Sequence, residues 1–228
     1  MMVLFSFLIL IFWDGVDRNF LIGNFDASKN TDFVVIQPEF TTKSEIYMHS
    51  KAYEAFKTMY KAAKKDGIQL TIVSAFRSFS YQNNNIWEKK WVAQAKYNQH
   101  DTITLYNLLK YSAFPGTSRH HWGTDIDLNS VSDQYFDTPN GKKVYNWLNK
   151  NASKYGFCQP YNDKKATNRS GYEPEKWHWS YIPLASRFQK AHISLINEND
   201  LKSVKGHEWL KHLNILEKYV STKGTACN

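Results

Sequence analysis

Ser118–Asp127, SRHHWGTDID, and Glu173–Tyr181, EPEKWHWSY, are the stretches from which the fold and the chemistry of this 228-residue chain are read. In the first, His120 precedes the carboxylate Asp127 by seven positions, and Gly123 between them allows a sharp turn. In the second, Glu175 stands three residues before His178. Histidine, aspartate and histidine are the donors Zn²⁺ uses when three protein ligands must leave a fourth position for water. A separate glutamate beside such a water is the usual general base. A lone His or Asp is more often a structural residue than a ligand, so the weight lies on the joint occurrence of the four.

Both stretches contain a short strand, Thr124–Asn129 and Trp177–Ile182. Side chains alternate along a strand, so Asp125 and Asp127 share one face. His178 and Ser180 likewise share a face, leaving Trp177, Trp179 and Tyr181 on the other as core. Glu175 has the wrong parity for a straight strand and is expected in the turn that Pro174 opens.

Working outward, Ser50–Lys65 places Ala52, Phe56, Met59, Tyr60 and Ala63 on one helical face, with Lys64 and Lys65 at its C-terminal end and Gly67 as its stop. Ile68–Phe76 is rich in β-branched residues and predicts a buried strand. Helices are expected over Tyr81–Ala95, over Thr102–Tyr111 with Asp101 as N-cap, and over Lys142–Tyr155 up to Gly156. Asp32–Phe40 reads as an extended opening and Asn162–Gly171 as a polar loop. The tail is expected to be helical over Leu184–Ile196 and Glu208–Val220. Strands and helices without regular βαβ alternation predict an α+β domain with a small, mainly antiparallel sheet flanked by helices.

A formal charge of +8 is compatible with nucleic acid, but the lysines are scattered and no nucleic-acid motif is present, so none is expected as a partner. Attraction to anionic cell-envelope polymers accounts for the charge equally well. Cys158 and Cys227 are too few for a disulfide framework; one bridge pinning the tail and two free thiols are both open readings. Val3–Trp13 is nearly all apolar, too short to span a bilayer and of the length of a signal h-region. No Lys or Arg precedes it and no A-x-A-like cleavage site follows. Residues 1–20 are therefore read as a shortened signal segment, with a buried strand as the alternative, and 21–228 as one domain with a helical tail.

SRHHWGTDID resembles the S-x-H-x-x-G-x-A-x-D motif of the D-alanyl-D-alanine metallopeptidases, the VanY-type carboxypeptidases. EKWHWSY resembles their E-x-W-H-x-x-Y motif, and SAFRSFSYQ upstream (Ser74–Gln82) their S-x-Y-R-S-x-x-x-Q segment, in the family's order. The resemblance implies a zinc site on the sheet face, ligated by His120, Asp127 and His178, with Glu175 as general base and later proton donor. It implies that Arg77 stabilises the oxyanion or the substrate's charged end, and that Ser118 and Gln82 line the substrate cleft. Asp125 stands where the family has a small residue, and Phe76 replaces its tyrosine. An extra carboxylate on the ligand face could orient a zinc histidine or alter the specificity pocket. His121 is a rival ligand and Glu173 a rival base.

The activity this implies is an extracytoplasmic, monomeric zinc D,D-carboxypeptidase trimming the terminal D-alanine of peptidoglycan stem peptides, with no stable membrane span. An L,D-carboxypeptidase, a dipeptidase or an endopeptidase shares the chemistry, and a non-catalytic zinc module that binds cell wall is the reading from another class. Glu175 counts against the last, because a structural zinc site needs no base.

Overall fold

The β-branched and aromatic stretches pair into two small antiparallel sheets in a computed structural model that describes residues 16–95, 102–222 and 227. β1 (Phe33–Val35) and β2 (Tyr47–His49) form a two-stranded ribbon. The larger sheet contains β3 (Ile72–Ser74), β4 (Asp125–Leu128), β5 (Phe157–Cys158) and β6 (His178–Tyr181) in the order β3-β4-β6-β5. Around them, in chain order, lie α1 (Arg18–Ile22), α2 (Ser50–Lys65), α3 (Glu88–Ala95), α4 (Thr102–Leu109), α5 (Asp133–Asp137), α6 (Pro139–Asn151), α7 (Lys164–Thr167) and α8 (Ile182–Leu195). This is the expected α+β architecture. Among the described residues, no helix is long and apolar enough to cross a membrane.

The register between β4 and β6 positions the site. Asp125 faces Ser180, Ile126 faces Trp179, and Asp127 faces His178. Directly opposed residues in an antiparallel pair have Cβ atoms about 5 Å apart, so pairing alone brings the aspartate and histidine together. Alternation then sorts the two faces. Ile126, Leu128 and Trp179 enter one core with Phe56 and Met59 of α2 and Val144 and Leu148 of α6. Each such fully buried side chain stabilises the fold by roughly 1.5–3 kcal/mol relative to exposure. The polar residues Asp125, Asp127, His178 and Ser180 take the other face and are also buried.

α2 matches its expected bounds because the signals at both ends are strong. His49 Nδ1 accepts from Lys51 N at 3.3 Å, and Gly67 (φ 72°) closes the C-terminus. There Gly67 N donates to Lys64 O at 3.1 Å and Ile68 N to Ala63 O at 2.9 Å, the paired bonds of a Schellman stop.

Elsewhere the structure departs from the expectation. The strand predicted over Ile68–Phe76 pairs only over Ile72–Ser74, because a bulge falls between Ile72 and Ser74, where two steps on β3 oppose one on β4. Beyond it the chain leaves the sheet, and Phe76 N donates instead to Tyr47 O at 2.9 Å. Tyr81–Ala95 is helical but begins as a π-helical turn over Tyr81–Trp87. The α6 helix starts earlier than expected, where Thr138 Oγ1 accepts from Gly141 N at 3.1 Å ahead of Pro139. The expected loop 162–171 contains the short α7, capped by Asp163.

Glu208–Val220 is not one helix. It is a series of tight turns, interrupted at Asn214 (φ 49°) and ending in a π-helical turn over Leu216–Val220. Its apolar residues Leu210, Ile215 and Tyr219 pack with Trp87, Trp91, Phe114, Tyr161 and Tyr172 in a second core, so packing overrides helical periodicity. Asp101 and the Val3–Trp13 run lie outside the described residues.

Cys158 and Cys227 form a disulfide with a Cα separation of 5.4 Å, which settles the two cysteine readings in favour of the bridge. It ties the tail to the edge strand β5, and closing so long a loop typically contributes about 2–4 kcal/mol.

Candidate metal centre

A tight turn, Arg119–Trp122, delivers His120 to the polar face of the sheet. Ser118 caps that turn, its Oγ accepting from His120 N at 3.3 Å. Gly123 closes it at φ 65°, where a Cβ would sit 2.4 Å from Phe33 Cε1, so only glycine fits. His120 Nδ1 donates to Ala75 O at 2.7 Å, which leaves the Nε2 lone pair facing Asp127. His178 is locked in the opposite sense. Its Nε2 donates to Asp125 Oδ1 at 3.0 Å, and its Nδ1 lies 3.1 Å from Asp127 Oδ1.

His120, Asp127 and His178 are thereby brought together as a group that could hold a metal ion, with donor atoms within 4.8 Å of one another. Zinc–ligand bonds of about 2 Å in tetrahedral geometry put donors roughly 3.3 Å apart. The distances from Asp127 Oδ1, 3.4 Å to His120 Nε2 and 3.1 Å to His178 Nδ1, fit that spacing. Each histidine also donates its other ring N–H, one to a backbone carbonyl and one to a carboxylate, as metal-ligating histidines generally do.

The electrostatics favour a cation here. Burial opposes ionisation of Asp127, but the neighbouring His120, Arg77 and His178 outweigh it and hold the carboxyl well below its usual range. Burial likewise works against a charged His178, yet Asp125 and Asp127 raise it to about 9. Burial and the neighbouring Arg77 lower His120.

Glu175 sits in the turn ahead of β6, where its backbone N donates to Tyr161 O at 2.8 Å and its own carbonyl accepts from His178 N at 3.3 Å. Its Oε2 is 3.7 Å from His178 Nδ1. Burial pushes its carboxyl up to about 7, the range in which a carboxylate can both take and return a proton at neutral pH. Glu173, by contrast, is paired with Lys164 at 2.8 Å and is not among the residues lining the cleft.

His121 is also placed apart from the donors. Its Nε2 accepts from Gly116 N at 3.0 Å and its Nδ1 donates to Arg77 O at 2.7 Å, so both ring nitrogens are used by backbone.

The donor group opens into a cleft of about 940 Å³. Arg77, Ser118 and Gln82 all line it. Arg77 Nη2 donates to Asp127 Oδ2 at 2.6 Å and lies 3.1 Å from His120 Nε2, while Nε donates to Ser74 Oγ at 3.0 Å. Gln82 is fully buried; its Nε2 donates to Ala113 O at 2.8 Å and its Oε1 has no partner among the described residues. Asp125 lies behind His178. Its Oδ1 accepts from Arg119 Nε at 3.0 Å and its Oδ2 from Thr124 Oγ1 at 2.6 Å.

Sequence reasoning passed over Arg119, which also donates to Ser180 Oγ at 2.7 Å. A second charged residue inside a motif otherwise destined for burial, beside the unusual Asp125, was the available signal. Trp177 was assigned to the core face with Trp179 but lines the cleft, because it belongs to the turn before β6, where strand parity does not hold. Tyr161, whose ring packs 4.8 Å from that of His178, carried no motif at all.

The family model "VanY: D-alanyl-D-alanine carboxypeptidase" matches residues 45–184. The Bacillus subtilis (strain 168) protein YodJ is 30% identical over 190 residues, covering 79% of this chain and 61% of YodJ. A D-alanyl-D-alanine carboxypeptidase of Enterococcus faecalis is 30% identical over 148 residues, covering 64% of this chain and 53% of that protein. The chain thus spans little more than half the length of these relatives. Among solved structures, the LdcB LD-carboxypeptidase is 29% identical, with a TM-score of 0.54 over 80% of this chain and 81% of that one. The vancomycin-resistance D,D-pentapeptidase VanY, solved as a variant in complex with Zn(II), is 21% identical and shares the fold, with a TM-score of 0.52 over 77% and 92%. The chain belongs to the VanY D-alanyl-D-alanine carboxypeptidase family.

Proposed function

We propose that this protein is a zinc-dependent, extracytoplasmic D,D-carboxypeptidase that removes the terminal D-alanine from peptidoglycan stem peptides. The observation that carries the reading is the donor set itself: His120 Nε2, Asp127 and His178 Nδ1 converge with each imidazole locked from behind. In this reading those three residues hold the zinc. Zinc when bound supplies Lewis acidity, lowering the pKa of water to about 7 and polarising a carbonyl.

The chain's own residues do the rest. Glu175 takes the proton from the attacking water and returns it to the departing amine, a shuttle suited to a carboxyl held near neutrality in a buried turn. Asp127 anchors Arg77 through Nη2, and among the described residues Nη1 makes no hydrogen bond, so it is available for charge that develops on the scissile carbonyl. Ser118 and Gln82 contribute polar groups to the cleft wall, Gln82 with a buried Oε1 that lacks a donor among the described residues. The disulfide supports an oxidising, extracytoplasmic location, since such bonds persist there and are rare in the cytosol.

The likeness to LdcB, named as an LD-carboxypeptidase, favours an L,D specificity as the second reading. One experiment separates the two and tests both. Defined pentapeptide and tetrapeptide stems are incubated with the protein, with and without chelator, and the products are read by mass. Chelator-sensitive loss of one D-alanine from the pentapeptide supports the D,D reading. Trimming of the tetrapeptide alone supports the L,D reading, and no cleavage of either removes both.

A further inference from the structure

The cleft carries more positive charge than its ionic pairs use. Arg77 is engaged by Asp127 and Arg119 by Asp125, but Lys43, Lys89 and Lys90 also line the cleft, and none of these lysines pairs with a carboxylate among the described residues. Against them stand the lining carboxylates Asp133 and Glu175. Lys90 is the most constrained of the lysines. It projects from α3, and its Nζ donates to Oγ of the buried Ser112, in the segment that leads to Ser118. An ammonium has three donors, so one bond to a neutral hydroxyl leaves two for a ligand. Lys90 is exposed as a residue, but the packing around its Nζ and the nearby Arg77 lower its pKa even though Glu175 acts to raise it.

We propose that Lys90, seated on Ser112, is the residue with which the cleft reads a carboxylate of its peptide, while Lys43 and Lys89 add to the positive potential that draws acidic peptides in. The inference rests on the reading of the site as a peptidase and adds a specificity determinant to it. Lysine suits the task because it offers a compact point charge on a flexible stem, able to follow a carboxylate that arrives in a mobile peptide. Two carboxylates of a stem peptide share this chemistry: the terminal one, and that of an acidic residue further along the chain. Lys90 is the site's preference for acid over amide at one of these places.

The test uses four stem peptides, acid or amide at the terminus and acid or amide at the internal acidic residue. kcat and KM are measured by product mass and Kd by calorimetry, for wild type, Lys90→Ala, Lys90→Arg and Ser112→Ala. Wild type is expected to bind one acid form about tenfold more tightly than its amide, the scale of a hydrogen bond to a charged group. Lys90→Ala should abolish that preference by raising KM and Kd for the acid form, with kcat within about twofold. Lys90→Arg should restore most of the preference, and Ser112→Ala should weaken it less than Lys90→Ala. Loss confined to the terminal pair makes Lys90 the terminal clamp; loss confined to the internal pair makes it a side-chain reader. Equal Kd values for all four peptides in wild type, or an unchanged preference in Lys90→Ala, overturn the proposal. If no peptide is cleaved, the peptidase reading fails by itself, and the Kd values still decide whether Lys90 reads a carboxylate.

Discussion

Asp125 and Asp127 stand two places apart on the same face of β4, each bound by an arginine and each touching His178, yet their surroundings differ sharply. The Asp127–Arg77 pair lies at the mouth of the cleft, with the arginine side chain 20% exposed and aspartate Oδ1 turned toward both histidines. The Asp125–Arg119 pair is buried, at 0% and 1% exposure, with further bonds to Thr124, His178 and Ser180. One arrangement of charges can thus serve two purposes. At the open end, a polarised carboxylate can be shared with a cation and a substrate. At the buried end, the charges hold one another and the back of His178, although Arg119 also lines the cleft and its buried Nη1 has no partner among the described residues. A buried pair of that kind contributes orientation more than net stability, because desolvation offsets much of its attraction. Removing only one partner is another matter.

The comparison therefore predicts that buried-end variants change stability and open-end variants change turnover. The largest effect is expected for Arg119→Ala, which strands the Asp125 carboxylate in the interior. Breaking a buried pair typically costs about 3–5 kcal/mol, readable as a fall in the urea midpoint. The double variant Arg119→Met, Asp125→Ala should recover much of that loss, since it removes both charges. Unchanged stability in Arg119→Ala would mean the two ends do not differ in the way their burial implies.

At the open end, Glu175→Gln should keep fold and metal but lose roughly 10²–10⁴ in turnover. Arg77→Ala should cost about 10²–10³, mainly in kcat, and Arg77→Lys should recover part of it, because lysine keeps the charge but not the planar fork. A normal kcat with only a raised KM would make Arg77 a clamp on a ground-state charge instead. Glu173→Gln should have the smallest effect, since that carboxylate is paired with Lys164 away from the cleft. If it matched Glu175→Gln in turnover, the general base would have to be reassigned.

Much of this is legible in the sequence. α2 has apolar periodicity, a basic last turn and a glycine stop that all agree, and it matches its expected bounds. Strands β4 and β6 were legible because their polar residues alternate with Ile126 and Trp179, and alternation fixes which side chains share a face. The features that escaped depend on contacts distant in sequence. The bulge in β3 arises from pairing with β4, the two-residue strand β5 exists only because β6 lies beside it, and the turns of 207–220 follow the shape of the second core. Arg119 showed its role only once β4 paired with β6, which brought Asp125 and Ser180 opposite each other and within its reach.

The proposed chemistry depends on His120, Asp127 and His178 holding zinc together. The most direct test is the metal content of purified protein, measured for wild type, for Glu175→Gln and for the double variant His120→Ala, His178→Ala. Close to one zinc per chain is expected in the first two and nearly none in the third, because two of three donors are gone. Undiminished zinc in the double variant would overturn this ligand set and put the metal elsewhere.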